Sequence, residues 1–180
     1  MVMVNDMRRA YFYAKIQMDV YIELPQEDEM HGQMLGKLKL CLYGTRDAAK
    51  GWQETLSAHL ETIGFRRGKG HPCVFYHPER EIKTLVHGDD YVSPGSPESM
   101  EWLEQELSKA YEIQTQKLGS GKGHSNEGKV LNRILRHDDK GWEIEADPRH
   151  AELVIEQLGL NDDKGVATPG VSGVDEDDND

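Results

Sequence analysis

Short apolar and β-branched runs, each followed by turn residues, constrain the fold of this 180-residue chain more than any other feature. Runs of this kind are typical of β-strands. Residues 87–90 separate two of them and predict the turn of a β-hairpin. The runs are residues 1–5, 19–24, 73–76, 82–86, 91–92, 130–135 and 142–144.

Three other segments repeat their apolar residues at helical spacing. The first is predicted to begin at Asp47 and to end at Gly64, since glycine commonly terminates helices. The second follows the capping residue Ser96, has Pro97 at its first position and reaches about Ala110. Hairpins interleaved with helices predict an α+β fold, in which helices pack on one face of an antiparallel sheet. The apolar stripes are Trp52, Leu56, Leu60 and Ile63; Met100, Leu103 and Leu107; and Ala151, Val154, Ile155 and Leu158.

The length of the chain suits one domain, which we expect to cover residues 1–170. Residues 175–180 contain nothing apolar to bury, so we expect residues 171–180 to be a disordered acidic tail. No apolar run approaches the roughly 20 residues that span a bilayer. Cys41 and Cys73 do not form a Cys-x-x-Cys pair, which favours a reducing compartment. We therefore expect an intracellular protein, cytoplasmic or nuclear, without a membrane partner.

The formal net charge of −12 opposes nucleic-acid binding if the acidic residues are spread evenly. They are not, because residues 36–70 hold more basic than acidic side chains. Such a segment either follows the phosphates of a nucleic acid or forms a solvated basic face, and both interpretations stay open. Its basic residues are Lys37, Lys39, Arg46, Lys50, Arg66, Arg67 and Lys69.

Three acidic residues are the candidates for chemistry. Asp89 and Asp90 lie together in the predicted hairpin turn, where by themselves they are ordinary turn residues. Asp6 follows the first predicted strand, and aspartates from neighbouring strands can bind a pair of hard divalent cations. The sequence thus leaves a plain turn and a two-metal site as alternatives.

Several blocks resemble, in order and spacing, the reverse transcriptase domain of Copia-type LTR retrotransposons. Residues 6–12, Asp-Met-Arg-Arg-Ala-Tyr-Phe, are similar to the family's Asp-Val-Lys-Thr-Ala-Phe-Leu. Residues 37–52 resemble its Leu-Lys-Lys-Ala-Leu-Tyr-Gly-Leu-Lys-Gln-Ala-Pro-Arg-Ala-Trp block. Weaker matches cover residues 19–25 (Glu-Val-Tyr-Met-Glu-Gln-Pro), 64–65 (Gly-Phe), 71–75 (Asp-Pro-Cys-Leu-Tyr), 86–90 (the Tyr-Val-Asp-Asp signature) and 167–169 (the segment leading out of the domain).

The resemblance implies a polymerase-palm sheet and RNA-directed DNA synthesis, in which a primer 3′-hydroxyl attacks a deoxynucleoside triphosphate. Asp6 and Asp89 would hold two Mg²⁺ ions, or Mn²⁺, with Asp90 as an auxiliary acid. Tyr11 matches the aromatic residue that excludes a ribose 2′-hydroxyl, with a half-buried structural aromatic as the alternative. The residues implied near the nucleotide are Arg8, Arg9, Ala10, Tyr11 and Asp47.

The implied partners are a primed RNA or DNA template, deoxynucleoside triphosphates and the other regions of a parent Pol polyprotein: fingers, ribonuclease H and integrase. An intact parent element would act in a virus-like particle.

Departures from the family pattern predict a palm fragment with weak or no activity on its own. His87 and Gly88 replace the Tyr and Val of the signature, Asp47 replaces a Gln, and five residues precede Asp6 where most of the fingers would lie. The alternative is a non-catalytic module of retrotransposon origin that binds nucleic acid or is stapled by zinc. The zinc ligands would be His71, Cys73 and His77, with His59 or His87 as the fourth.

Overall fold

The computed structural model describes residues 1–145, 148–161 and 165, and the chain divides into two units, Met1–Glu145 and Ala146–Asp180. Among the described residues, the second unit contains helix α3 (Pro148–Gln157), followed by Gly159 at a φ of 68°. The first unit contains helices α1 (Ala48–Thr62) and α2 (Pro97–Ala110) and a short 3-10 turn (Ala10–Tyr13). Its strands are β1 (Val2–Met7), β2 (Tyr21–Glu23), β3 (Leu35–Lys37), β4 (Arg66–Arg67), β5 (Val74–His77), β6 (Ile82–His87), β7 (Asp90–Pro94), β8 (Ile113–Leu118), β9 (Glu127–Val130), β10 (Arg133–Asp138) and β11 (Gly141–Glu145).

The main sheet has six strands in the order β4-β5-β6-β7-β1-β8, and every neighbouring pair is antiparallel. β1 therefore lies between β7 and β8, although both are distant from it in sequence. The predicted α+β class with an antiparallel sheet is confirmed.

One face of this sheet is covered by α1 and α2. Along β1, Met3, Asn5 and Met7 are buried, whereas Asp6 on the opposite face is exposed. This period of two is what one half-buried strand face requires. Both helices contribute their predicted apolar stripes to the same core, so the prediction of helices on one face is confirmed. The largest buried side chains of the helices are Trp52, Leu56, Leu60, Met100, Leu103 and Leu107.

The other face of β8 meets a separate three-stranded sheet, β11-β10-β9. A Cβ atom on Gly128 of β9 would lie 2.8 Å from a methyl carbon of Leu118 and 2.9 Å from the Gln116 side-chain oxygen. Glycine is thus the residue that permits this close approach. The contact lies toward the end of the sheet that carries Val2. Toward the other end lies a hollow that is lined by His87, Asp90, Lys129, Leu131 and Asn132.

Local signals set the helix boundaries much as predicted. The hydroxyl of Ser96 accepts the backbone N–H of Ser99 at 3.2 Å and caps α2. After α1, Gly64 takes a φ of 98°, which an L-residue rarely adopts. α1 covers 15 residues; it begins one residue after Asp47 and ends two residues before Gly64.

Some strand predictions were wrong or incomplete. Residues 130–135 are not one strand, because Leu131 and Asn132 have φ values of 48° and 63° and form the turn between β9 and β10. The sequence also gave no signal for β8, whose Gln-Thr-Gln-Lys core is polar and is held in the sheet by β1. The predicted tail, residues 171–180, lies outside the described residues. Within the described part of the chain, no helix has both the length and the apolar character needed to cross a bilayer.

Candidate functional site

Strand pairing brings Asp6, Asp89 and Asp90 to one corner of the main sheet, which we call the acid corner. Asp6 lies directly opposite Asp90 in the β1–β7 register, so their side chains share one face. The backbone N–H of Met7 donates to the carbonyl oxygen of Asp89 at 2.9 Å, which fixes the turn against the end of β1. Asp6 and Asp90, which are 84 positions apart in the sequence, are therefore neighbours, and periodicity alone could not establish this.

The predicted hairpin is confirmed, and its turn is a two-residue loop. His87 of β6 pairs with Asp90 of β7, so Gly88 and Asp89 form the loop between them. Gly88 has a φ of 64°, the positive value that the first position of a type II′ turn requires. The glycine that departs from the family signature therefore has a local conformational role.

A buried tryptophan holds this turn from the helix side. Trp52 is fully buried in the core, and its indole N–H donates to the Gly88 carbonyl oxygen at 2.8 Å. The sequence indicated a core role for Trp52 and gave no sign of this hydrogen bond. The tryptophan thus couples the first half of α1 to the loop that carries Asp89.

The corner carries three acidic side chains, and His87 and Lys129 line the same hollow as Asp90. Partial burial raises the pKa of Asp90, and the neighbouring carboxylates of Asp89 and Asp6 raise it further, while His87 opposes them. A raised carboxyl pKa among like charges means that a cation placed there would be bound favourably. The charge and the oxygen donors therefore suit a hard divalent ion.

The side chains of the three acids do not form a complete set of metal ligands. Within residues 1–145, 148–161 and 165, no set of three or more His, Cys, Asp or Glu side chains converges closely enough to hold a metal ion. For the acids, the backbone register is in place while the carboxylates do not form a three-ligand set. Asp6 is exposed, and Asp89 and Asp90 are partly buried.

The same finding counts against the zinc-stapled alternative, whose candidate ligands are all described. His77 is buried, and its ring packs edge-on against Phe65 and Trp102. Its Nδ1 accepts the backbone N–H of Arg80 at 3.3 Å. His77 is therefore a core residue, while His71 and Cys73 are exposed.

Tyr11 and Tyr43 form an aromatic pair near the acid corner, which we call the aromatic wall. The two rings lie 4.5 Å apart between centroids, and Phe12 meets Tyr43 edge-on at 6.0 Å. Partial burial raises the pKa of Tyr43, followed by the charges of Asp89, Tyr11 and Asp6, against a hydrogen bond with the backbone of Ala10. Tyr43 thus faces the acid corner. Tyr43 was not among the predicted site residues, although it belongs to the second block of family resemblance.

An apolar cleft of about 170 Å³ opens next to the turn, between α1 and β6. Tyr11 and Gly88 connect this cleft to the acid corner. Its lining residues include Tyr11, Trp52, Cys73, Val86, His87 and Gly88.

Arg8 and Arg9 converge on one carboxylate that the sequence did not point to. An Nη atom of Arg8 lies 3.2 Å from one oxygen of Glu112, and Arg9 pairs with the other oxygen. Hydrogen bonds from Arg9 and then Arg8 are the main reason that the pKa of Glu112 is lowered. Both predicted nucleotide-binding arginines are thus engaged by Glu112, which immediately precedes β8.

Asp47 is held by a backbone hydrogen bond in front of α1. One of its carboxylate oxygens accepts the backbone N–H of Gln17 at 3.0 Å, at the start of α1. The other carboxylate oxygen is buried and has no hydrogen-bond partner among the described residues. The placement of Asp47 near the nucleotide stays a prediction.

The predicted basic residues are all exposed and lie on three elements. Lys37 pairs with Asp19 at 2.6 Å, and Lys50 lies 3.8 Å from Glu54. Arg67 donates to the Pro72 carbonyl oxygen at 2.7 Å. The small β2–β3 sheet and the residues after it carry Lys37 and Lys39, the start of α1 carries Arg46 and Lys50, and β4 and the turn after it carry Arg66, Arg67 and Lys69.

Comparison with known proteins relates the chain to retrotransposons. It is 25% identical over 170 residues to the Retrovirus-related Pol polyprotein from transposon TNT 1-94 of Nicotiana tabacum, covering 91% of this chain and 12% of that protein. It is 33% identical over 88 residues to the Transposon Ty1-DR4 and TyH3 Gag-Pol polyproteins of Saccharomyces cerevisiae, covering 48% of this chain and 5% of each. No family model matches the chain.

These relatives are Copia- and Ty1-type Pol polyproteins, and the similarity supports a retroelement origin for the chain. The chain spans about one-eighth of the tobacco relative and less of the yeast ones.

Proposed function

We propose that this chain is the palm part of an RNA-directed DNA polymerase, a reverse transcriptase of a Copia-type retrotransposon. The observation that carries the proposal is the register of β1 with β7, which sets Asp6 opposite Asp90 and places Asp89 in the adjoining turn. The similarity to retrotransposon Pol polyproteins supports it independently.

In this proposal the acids hold two divalent cations. Bound Mg²⁺ or Mn²⁺ would lower the pKa of the primer 3′-hydroxyl and stabilise the charge on the leaving pyrophosphate. Asp6 and Asp89 would be the ligands and Asp90 the auxiliary acid. Burial is the main cause of the raised pKa of Asp90, and repulsion from Asp89 and Asp6 adds to it. Cation binding would relieve that repulsion.

The aromatic wall would set the choice of sugar. The ring of Tyr11 would lie against the 2′ position of the incoming nucleotide, and Tyr43 would support it from behind through the 4.5 Å ring contact. A ribose hydroxyl would clash with a ring that is held in place. Tyr43 acts in this account as a positioning residue.

The remaining contacts would be to phosphates. Arg8 and Arg9 lie two and three residues beyond Asp6, on the side where a triphosphate would extend from the metals. The exposed lysines and arginines of residues 36–70 would follow the template backbone, with affinity that depends on salt.

A second candidate is a retrotransposon-derived module that binds nucleic acid without catalysis. Two observations favour it: the acids do not form a three-ligand set among the described residues, and both arginines are occupied by Glu112. The experiment that follows separates the two candidates.

The test is metal-dependent primer extension on a primed RNA template by this chain joined to a Copia-type fingers region, with Asp89→Asn as the variant and Asp139→Asn as the matched control. Asp139 is an exposed aspartate in the β10–β11 turn. Losing an outer-shell metal partner costs about 10–100-fold, so losing a ligand should reduce extension by at least about a hundredfold. The control variant should retain wild-type activity.

Binding of Mn²⁺ to the same three proteins gives a readout that does not require turnover. We expect the wild type and Asp139→Asn to bind Mn²⁺ alike and Asp89→Asn to bind it weakly. Equal extension or equal Mn²⁺ affinity in all three would remove the metal assignment. Mn²⁺ binding without any extension would favour the non-catalytic candidate.

A further inference from the structure

The cluster of Arg8, Arg9 and Glu112 has the form of an anion site filled by the protein's own carboxylate. Each arginine binds a different oxygen of Glu112, so two guanidinium groups converge on one oxyanion. Paired guanidinium groups are the side chains best suited to phosphate oxygens. From this geometry we propose that Arg8 and Arg9 form a binding site for an oligophosphate chain, and that Glu112 is an internal competitor which the oligophosphate displaces.

The backbone holds the members of this cluster in place. The N–H of Arg8 donates to the carbonyl oxygen of Glu112 at 2.9 Å, and the N–H of Glu112 donates to the Tyr13 hydroxyl at 2.9 Å. Arg9 has a φ of 56°, an uncommon left-handed conformation for a residue with a side chain. The arginines are therefore presented by a defined turn rather than by a frayed loop.

The cluster lies on the same face and at the same end of the sheet as the acid corner. Asp6 is opposite Gln114 in the β1–β8 register, and a second Nη atom of Arg8 lies 3.5 Å from the Gln114 side-chain oxygen. Side chains two residues apart on a strand share a face, so Glu112 and Gln114 share the face of Asp6. An oligophosphate on the arginines would therefore extend toward the proposed metal site.

The exposure of the cluster explains how the competitor can leave. The side chains of Arg8, Arg9 and Glu112 are 55%, 65% and 40% exposed. Exposed ion pairs contribute little free energy, and a single carboxylate competes poorly with a chain of several phosphate charges. Glu112 would compete successfully with anions of low charge and would be displaced by an oligophosphate.

This inference rests on the proposed function for the identity of the ligand, the triphosphate tail of a nucleotide, but its test needs no catalysis. Binding of inorganic tripolyphosphate is measured with EDTA present, so that the acid corner cannot contribute through a metal. Glu112→Gln should bind tripolyphosphate about fivefold more tightly than the wild type, as expected for removing one exposed ion-pair competitor. The Arg8→Gln, Arg9→Gln, Glu112→Gln triple variant should lose that gain.

Glu104→Gln is the matched control. It changes the net charge equally and releases Lys117 of the same strand, whose Nζ lies 2.6 Å from Glu104. We expect this variant to bind tripolyphosphate like the wild type, and thermal unfolding of each variant checks that it is folded. An equal gain in Glu104→Gln and Glu112→Gln, or no gain in either, would overturn the competitor role.

A short single-stranded oligonucleotide distinguishes the two sources of phosphate. We expect the Glu112→Gln gain for tripolyphosphate to exceed the gain for the oligonucleotide. An equal or larger gain for the oligonucleotide would assign the arginines to a nucleic-acid backbone and overturn the proposal. Failure of primer extension with the tripolyphosphate gain intact would count against the polymerase function alone.

Discussion

Among the single residues, three side chains outside the predicted site contact the predicted site residues or the turn that carries them. Trp52 holds the turn that carries Asp89, Tyr43 supports Tyr11, and Glu112 engages the arginines. None of the three was predicted from the sequence in this role, because each acts through a tertiary contact. Two residue-scale predictions follow from these contacts.

Replacing Trp52 with Phe keeps an aromatic ring in the core and removes the hydrogen bond to the Gly88 carbonyl oxygen. We expect the free energy of unfolding to fall by about 1–2 kcal/mol, from the lost bond and the smaller ring. Urea denaturation measures this change. Trp142→Phe is the control, because Trp142 is exposed, and it should unfold like the wild type.

Replacing Tyr11 with Ala should increase ribonucleotide incorporation relative to deoxynucleotide incorporation, since the wall beside the sugar is removed. Tyr43→Ala should shift the preference in the same direction but less, because Tyr11 would remain and lose only its support. Single-nucleotide extension with each sugar measures the ratio in a protein that shows Mg²⁺-dependent activity. An unchanged ratio in Tyr11→Ala would show that Tyr11 is only a structural aromatic.

At the scale of elements, the end of α1 is set jointly by a backbone conformation and a neighbouring strand. Gly64 has a φ of 98°, and a Cβ atom there would lie 2.7 Å from Nε2 of the buried His77 in β5. The turn after the helix therefore excludes a side chain for two separate reasons. α1 is held against the sheet at this point as well as at Trp52.

We expect Gly64→Ala to lower the free energy of unfolding by about 2 kcal/mol, from the left-handed backbone and the displaced imidazole together. Gly70→Ala is the matched control, because a Cβ atom on Gly70 would meet nothing within 4 Å. Chemical denaturation of both variants gives the comparison. Similar stability of the two would mean that the turn relaxes without cost.

At the scale of the whole molecule, a net charge of −12 opposes a polyanion, so any template must be bound by a local concentration of basic side chains. The predicted basic residues are exposed and lie on the small sheet, the start of α1 and the region of β4. Binding through such residues releases counterions and is therefore strongly dependent on salt.

Template affinity should accordingly fall steeply as salt is raised. Lys39→Gln and Arg66→Gln should each reduce the slope of log affinity against log salt by about 0.7–0.9, the value for one phosphate contact. Lys140→Gln, in the β10–β11 turn, should leave the slope unchanged. Fluorescence anisotropy with a labelled template measures the slopes, and a salt-insensitive complex would contradict phosphate contacts.

The helices and the hairpin could be predicted from local patterns in the amino-acid sequence. The stripe through Trp52, Leu56 and Leu60 predicted α1, Ser96 and Pro97 predicted the start of α2, and the interruption at residues 87–90 predicted the hairpin. These signals are local, because helix caps, turn residues and apolar periodicity act over a few neighbouring positions.

Which elements are neighbours could not be predicted and became clear from the folded chain. In the folded chain β1 lies between β7 and β8, and this pairing places Asp6 opposite Asp90. The polar strand β8, which the sequence did not indicate, pairs with β1. Folding also brought Glu112 to the two arginines and Tyr43 to Tyr11. The physical reason is that strand order and side-chain contacts between distant segments depend on how the whole core packs, which the local pattern of one segment does not record.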